Sequence, residues 1–274
     1  MNISQLNERL TPDAKSKIQE LRNSQNIVGL SGGKDSVATC ILLSMLEIPF
    51  KTVTAEVWWK ENITGENPYH YEFFHEKAKP KLESWGITCD LVRSDVTAYQ
   101  YMTTPIAKST KHPERIGKLR GFPLCARCGI QRDCKTTPCE RYYKQKDTPY
   151  NVITGIAANE KDRLESNSAN QRISILELLD VREYETYSIC KNEGLLSPTY
   201  SFSERGGCWF CPNQKIQELE LLYREFPHLW NELMSIQKMP NKATELFNRT
   251  QTLYDIESEI QRGVQMKMFV GNYL

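Results

Sequence analysis

The stretch Ile27-Val28-Gly29-Leu30-Ser31-Gly32-Gly33-Lys34-Asp35-Ser36-Val37-Ala38-Thr39-Cys40-Ile41-Leu42-Leu43 decides the fold class. An apolar run, a glycine pair and a second apolar run read as a strand, a tight turn and the N-terminus of a helix. Gly32 and Gly33 let backbone N–H groups approach a ligand that Cβ atoms would hold off, and the helix dipole adds partial positive charge at the same point. The stretch predicts an anion cradle suited to phosphate. Lys34 supplies a mobile cation, Ser31 and Ser36 supply hydroxyl donors, and Asp35 can reach a magnesium ion that bridges phosphate oxygens. The loop differs from the Walker P-loop, which is longer and ends Gly-Lys-Ser/Thr.

Outward from this loop, strand and helix signals alternate. Residues 13–24 predict a polar outer helix, Ile27 to Leu30 strand one and residues 36–46 the helix after it. Lys51 to Trp59 reads as strand two, residues 70–85 as a helix carrying Tyr71, Phe74, Ala78 and Leu82, and Ile87 to Val92 as strand three. Tyr150 to Ile156 reads as a fourth strand and contains Gly155. Repeated strand-helix-strand units predict an α/β fold with a parallel twisted sheet and helices on both faces, whose ligands bind at the carboxyl ends of the strands. Ser31 to Ser36 and Gly155 both fall at that edge. From about residue 174 the signals are mostly helical. The expected division is a nucleotide-binding α/β domain over 1–172, including the cysteine-rich loop, and a smaller helical region over 173–274 with a cysteine knuckle.

With 35 Lys+Arg against 34 Asp+Glu, the net charge of +1 argues against global electrostatic capture of nucleic acid and leaves room for a local patch. The start of the chain has no basic segment followed by an apolar one, and no stretch approaches the roughly 18 apolar residues of a membrane span. A cytoplasmic protein is expected. Nine cysteines, an odd and clustered set, suit metal or cluster binding in a reducing compartment better than a disulfide framework. Cys125-Ala126-Arg127-Cys128 and Cys208-Trp209-Phe210-Cys211 are both CxxC pairs, and Cys134 and Cys139 follow the first. Each pair can present two thiolates to one ion or cluster. Thiolate spacing alone fits zinc and iron–sulfur equally. Cys40, Cys89 and Cys190 lie in apolar surroundings and read as core residues.

Ser31-Gly32-Gly33-Lys34-Asp35-Ser36 resembles the PP-loop of the N-type ATP pyrophosphatases, which hold the pyrophosphate part of ATP there and cut between the α and β phosphates. Gly206-Gly207-Cys208-Trp209-Phe210-Cys211-Pro212 is similar to the GGCxxCP knuckle of the PAPS reductase-like branch of that superfamily. Cys134-Lys135-Thr136-Thr137-Pro138 resembles its Lys-x-x-Pro element. The run from Gly155 through Glu160 to Arg163 is similar to its second nucleotide motif, and the resemblance covers about residues 26–232. It implies ATP and Mg2+ at Ser31, Gly32, Gly33, Lys34, Asp35, Ser36 and Gly155, with Arg163 either at the α phosphate or in a surface ion pair. It also implies a four-iron-four-sulfur cluster, with zinc as the alternative. Cys125, Cys128 and Cys134 then compete for two places beside Cys208 and Cys211, and Cys139 is discounted. The implied reaction adenylates an acceptor for sulfur transfer, with a sulfur-donor protein as a further partner. Reductases of this branch use a cysteine in a C-terminal Glu-Cys-Gly-x-His segment, and this chain has no cysteine after Cys211. A sulfonucleotide oxidoreductase is therefore the weaker alternative, beside a non-catalytic nucleotide-binding subunit of a nucleic-acid modification or defence complex.

Lys108, Lys111, Arg115, Lys118 and Arg120 precede the first cysteine pair and either guide a polyanionic acceptor such as tRNA or DNA or form a solvated loop. Glu56 and Trp58-Trp59, after strand two, either contact substrate or cover the core. Residues 213–236 predict an amphipathic helix that packs into a core or an interface. His70, His75, His112 and His228 show no ligand spacing and receive no role.

Overall fold

A computed structural model describes residues 8–124, 128–145, 148–204 and 206–271. Among these, the strands in chain order are β1 (Asn26–Gly29), β2 (Lys51–Glu56), β3 (Trp58–Lys60), β4 (Ile63–Thr64), β5 (Cys89–Arg93) and β6 (Asn151–Ile153). The chain forms two compact units, each assembled from three stretches.

The first unit comprises residues 1–56, 67–94 and 136–206. Its sheet has the order β5-β2-β1-β6 with every pair parallel, so it is the α/β unit that the alternating pattern predicts. Neighbouring residues of β1 point to opposite faces. Val28 joins a core with Leu30, Val37, Ile41, Leu42, Phe74, Leu82 and Ile189, whereas Ile27 joins Val53, Tyr142 and Tyr143. Helices thus cover both faces. The chain runs from β1 to β2 to β5 in one direction and then returns to place β6 on the other side of β1. This reversal makes the carboxyl ends of β1 and β6 the topological switch point of the sheet, the place where open parallel sheets bind ligands.

The second unit comprises residues 57–66, 95–135 and 207–274. It contains the antiparallel pair β3–β4 and the helices Ala98–Thr103, Ile216–Glu225, Pro227–Gln237 and Leu253–Gly271. Trp59, Met102, Phe122, Ile130, Trp209, Phe210, Leu219, Leu233, Phe247 and Ile256 share its core. The linear division at residue 172 therefore gives way to an interleaved one. Residues 95–135, the basic and cysteine-rich loop, fold with the C-terminal helices because their apolar side chains belong to that core.

Three local differences from the sequence expectation have physical causes. Strand two ends at Glu56, and Trp58–Lys60 turns back to pair with Ile63–Thr64, which buries Trp59 in the second unit. The helix expected over 70–85 runs Pro68–Phe73, a π segment Phe74–Ala78 and Lys79–Ser84. Pro80 lacks an N–H and would clash with a carbonyl one turn back, and the wider π turn accommodates it. Pro138 follows the π segment Gln131–Thr136 in the same way. The expected helix over 213–236 is two helices, because Pro227 opens the second at its first turn. Leu219, Leu222, Leu229 and Trp230 are buried, so these faces are core. Among the described residues no helix is long and apolar enough to cross a membrane.

Candidate nucleotide and cysteine sites

The loop from Ser31 to Ser36 lies in the α/β unit, between the end of β1 and the helix Lys34–Met45. Gly32 has φ 73°, a left-handed conformation that glycine adopts without cost, and Gly33 is the N-cap of the helix. The Ser36 hydroxyl donates to the Gly33 carbonyl at 2.9 Å and accepts from the Ser31 N–H at 3.2 Å, closing the turn on itself. Gly155, just beyond β6, lies against this turn. A Cβ there would come within 2.6 Å of the Ser36 nitrogen and 2.7 Å of the Asp35 carbonyl carbon. The structure thus brings together the two glycine elements that the sequence singles out.

Lys34 is held between two carboxylates. Its Nζ lies 3.1 Å from Asp35 Oδ1 and 2.8 Å from Glu183 Oε1. Burial pulls the ammonium pKa down, but the hydrogen bond to Glu183 and the charge of Asp35 outweigh it and hold the group above its ordinary value. Thr186 donates to Asp35 Oδ1 at 2.6 Å, and the Glu183 N–H donates to Asn159 Oδ1 at 2.9 Å. The Tyr200 hydroxyl accepts from the Lys34 N–H at 2.9 Å, and the Cys190 thiol donates to the Lys34 carbonyl at 3.1 Å. Burial pushes that thiol up to about 12, so it serves as a neutral donor.

His70 braces the loop from below. It is buried, and its Nε2 lies 3.0 Å from the Ser31 carbonyl, an obligatory acceptor, so Nε2 carries the proton. Nδ1 lies 3.1 Å from Ser197 Oγ, which in turn is 2.8 Å from Thr199 Oγ1. Sequence spacing assigns no role to His70, Tyr200, Glu183 or Thr186, because none belongs to a local motif. A polar residue amid the helical apolar spacing of 70–82 is the one signal the sequence holds for His70.

Arg163 lies on the helix Lys161–Ala169 and forms its ion pair with Glu160, whose other carboxylate oxygen accepts from the Ala157 N–H at 3.1 Å. Of the two readings for Arg163, the surface pair is the contact present. Glu56 is likewise engaged: its carboxylate takes His75 Nε2 and Arg93 Nε, each at 3.0 Å.

The cysteine residues divide between the units. Cys40, Cys89 and Cys190 are buried in the α/β unit, as their apolar surroundings predict. Cys139 also belongs there, packed against Ile27, Val53, Tyr142 and Tyr143. Cys128, Cys134, Cys208 and Cys211 belong to the second unit, and Cys125 lies outside the described residues. Cys134 is buried in that unit's core, where its thiol donates to the Val96 carbonyl at 3.3 Å. Cys208 follows Gly207 and pairs with Glu66 through an isolated β-bridge. Burial pushes its thiol well above the ordinary value; Lys135 opposes this, and Glu66, Cys211 and Cys128 add to it. Glu66, bridged to Cys208, also holds Lys135 Nζ at 2.7 Å, the Cys211 N–H donates to the Cys208 carbonyl at 3.1 Å, and Cys128 packs against the same core as Cys208. Among the described residues, no three His, Cys, Asp or Glu side chains converge to form a metal site.

Compared with known protein families and with curated proteins, the chain matches none.

Proposed function

We propose that the protein is a PP-loop ATP pyrophosphatase of the PAPS reductase-like type, which adenylates an acceptor for sulfur transfer. The observation that carries this reading is the close approach of Gly155 to the Asp35–Ser36 backbone at the sheet's switch point. A helix N-terminus there, with a glycine turn and a half-buried lysine, suits the triphosphate of a nucleotide.

In the proposed reaction the β and γ phosphates lie on Ser31 to Ser36, and Lys34 neutralises their charge. Asp35 would hold Mg2+, since its carboxylate is a hard oxygen donor that suits that ion, with Lys34, now paired with it, turned to the phosphates. An acceptor oxygen attacks the α phosphorus in line. The α–β bridging P–O bond breaks, pyrophosphate leaves with the bonding electrons, and the acceptor is left adenylated. A sulfur nucleophile then displaces AMP from the acceptor. Arg163 would swing from Glu160 to the α phosphate. This catalysis works by position and charge, so it needs no protein nucleophile.

Cys208 and Cys211, with two of Cys125, Cys128 and Cys134, are the candidate cluster ligands. Cysteine sulfur is a soft donor and would suit an iron–sulfur cluster or zinc once deprotonated and drawn together, with Lys135 beside Cys208 to balance the thiolate charge. A cluster there would supply redox or sulfur chemistry, whereas zinc would brace the knuckle.

Calorimetric titration of Mg-ATP and of PAPS into anaerobically purified protein tests the reading. Tighter binding of ATP, lost in Lys34→Ala, is expected. Preference for PAPS would overturn it in favour of a sulfonucleotide function.

A further inference from the structure

The second unit carries a strongly basic surface that the proposed chemistry has not used. Between Thr104 and Gly121 the sequence has five Lys and Arg residues, Lys108, Lys111, Arg115, Lys118 and Arg120, against the single carboxylate of Glu114. Its backbone is closed into a hairpin: the Ile106 N–H donates to the Lys118 carbonyl at 2.9 Å and the Gly117 N–H to the Ile106 carbonyl at 2.9 Å. At its base, the Gly121 N–H donates to the Met102 carbonyl, and the Leu119 N–H donates to the Asn241 carbonyl, each at 2.9 Å. The segment is therefore a structured presentation of charge. Lys108, Lys111 and Arg115 are exposed and Lys118 is half-buried. Lys108, Lys111 and Lys118 form no ion pair among the described residues, and Glu114 is shared by His112 and Arg115. Lysines aimed at carboxylates of the same chain would read as a solvated, self-neutralised face; these three do not have that character.

A second observation ties the hairpin to the cysteines. The Arg120 guanidinium lies 5.0 Å from the centre of the Tyr101 ring. The Tyr101 hydroxyl in turn lies over Gly129, where a Cβ would overlap it, and Gly129 is the neighbour of Cys128. Arg132, 71% exposed, follows on the same segment and pairs with Asp133. A basic hairpin, an arginine stacked on an aromatic ring and the start of the cysteine segment thus adjoin within one unit. Cations spaced along a strand-like hairpin match a chain of phosphates, and a stacked arginine–tyrosine pair suits a nucleobase.

We infer that this hairpin binds the sugar–phosphate backbone of a nucleic acid, which carries the acceptor that the enzyme adenylates. The acceptor role rests on the function proposed above; the binding itself does not. The near-neutral overall charge of the chain makes the surface local, so binding depends on these residues and not on a global field.

The test is fluorescence anisotropy of a labelled RNA stem-loop and of a labelled DNA duplex, without nucleotide, between about 50 and about 200 mM KCl. Binding that falls steeply with salt is expected, and the arm that binds more tightly identifies the nucleic acid. The triple variant Lys108→Glu, Lys111→Glu, Lys118→Glu should bind at least about tenfold more weakly, with a salt slope shallower by about 0.7–0.9 for each phosphate that is no longer neutralised. Lys34→Ala should bind the nucleic acid as the wild type does, so failure of the ATP reading leaves this result intact. Wild-type binding no better than that of serum albumin, or a triple variant indistinguishable from wild type, would overturn the inference.

Discussion

Gly155 and Ser36, on different strands' exits from the sheet, approach so closely that a Cβ on the glycine would lie 2.6 Å from the Ser36 nitrogen. The atom displaced is backbone, which cannot rotate away as a side chain can. Gly155→Ala is accordingly expected to cost about 1–3 kcal/mol of stability, as overpacking does, and, under the proposed function, to weaken nucleotide binding as well. Chemical denaturation and ATP titration of the same variant read the two effects separately. A variant with wild-type affinity would show that the loop tolerates a shift of its helix N-terminus.

His70 links Ser31 to Ser197 from within the core. Its replacement by Ala takes the imidazole donor from the Ser31 carbonyl, while Ser197 keeps its bond to Thr199, an expected loss of about 1–3 kcal/mol. His70→Gln can restore one of the two bonds and should recover part of the midpoint in urea. Equal destabilisation by both substitutions would mean that packing, not hydrogen bonding, is what the imidazole supplies.

The Lys34 ammonium has a folded-state pKa above its ordinary value, after burial is outweighed by Glu183 and Asp35. Its contribution to stability is thus complete below the ordinary lysine range and is lost as pH rises through the raised value. Alkaline unfolding of the wild type should therefore be steeper than that of Lys34→Met, while the two should share the same pH dependence near neutrality. Glu183→Gln should move the wild-type transition to lower pH. Circular dichroism against pH checks both.

Arg163→Ala should change stability by less than about 1 kcal/mol, since its pair with Glu160 is largely exposed. In the proposed reaction, the same substitution should slow pyrophosphate release while leaving the ATP affinity of the unreacted complex nearly unchanged. Stopped-assay pyrophosphate measurement against calorimetric affinity makes the distinction. Loss of affinity with an unchanged rate would assign the arginine to ground-state binding alone.

On the proposed cluster ligation, Cys208→Ser and Cys211→Ser should each reduce the metal content of anaerobically purified protein and lower its melting temperature. Cys139→Ser should leave the metal content unchanged, because its side chain packs in the α/β unit. Elemental analysis checks the content and separates iron from zinc. Metal retained by both knuckle variants would remove the cysteine pair from the ligand set.

The parallel sheet, its first helix and the Ser31–Ser36 turn were legible in the sequence because strand, glycine pair and helix follow one another without interruption. Gly155 was legible for the same reason, since it closes a β-rich run. Glu183, Thr186 and Tyr200 were not, because a side chain that reaches Asp35 or Lys34 from 150 residues or so away leaves no periodic trace. Trp58-Trp59 reads equally as substrate contact or core cover, and apolar patterning carries no label for which core a side chain such as Trp59 enters. That is why the boundary near residue 172 was drawn through a unit that the fold assembles from separate stretches.

The interleaving also sets an order on synthesis. Every buried residue of the core around Val28 has been made by Leu195, so the α/β unit can complete its packing while the chain is still growing. Trp59, Met102 and Phe122 must wait for Trp209, Leu233, Ile256 and Ile260 before their apolar surfaces are covered. A nascent chain stalled between these points would carry a finished Ser31–Ser36 loop together with sticky, unpaired insertions, and would be a natural client for chaperones.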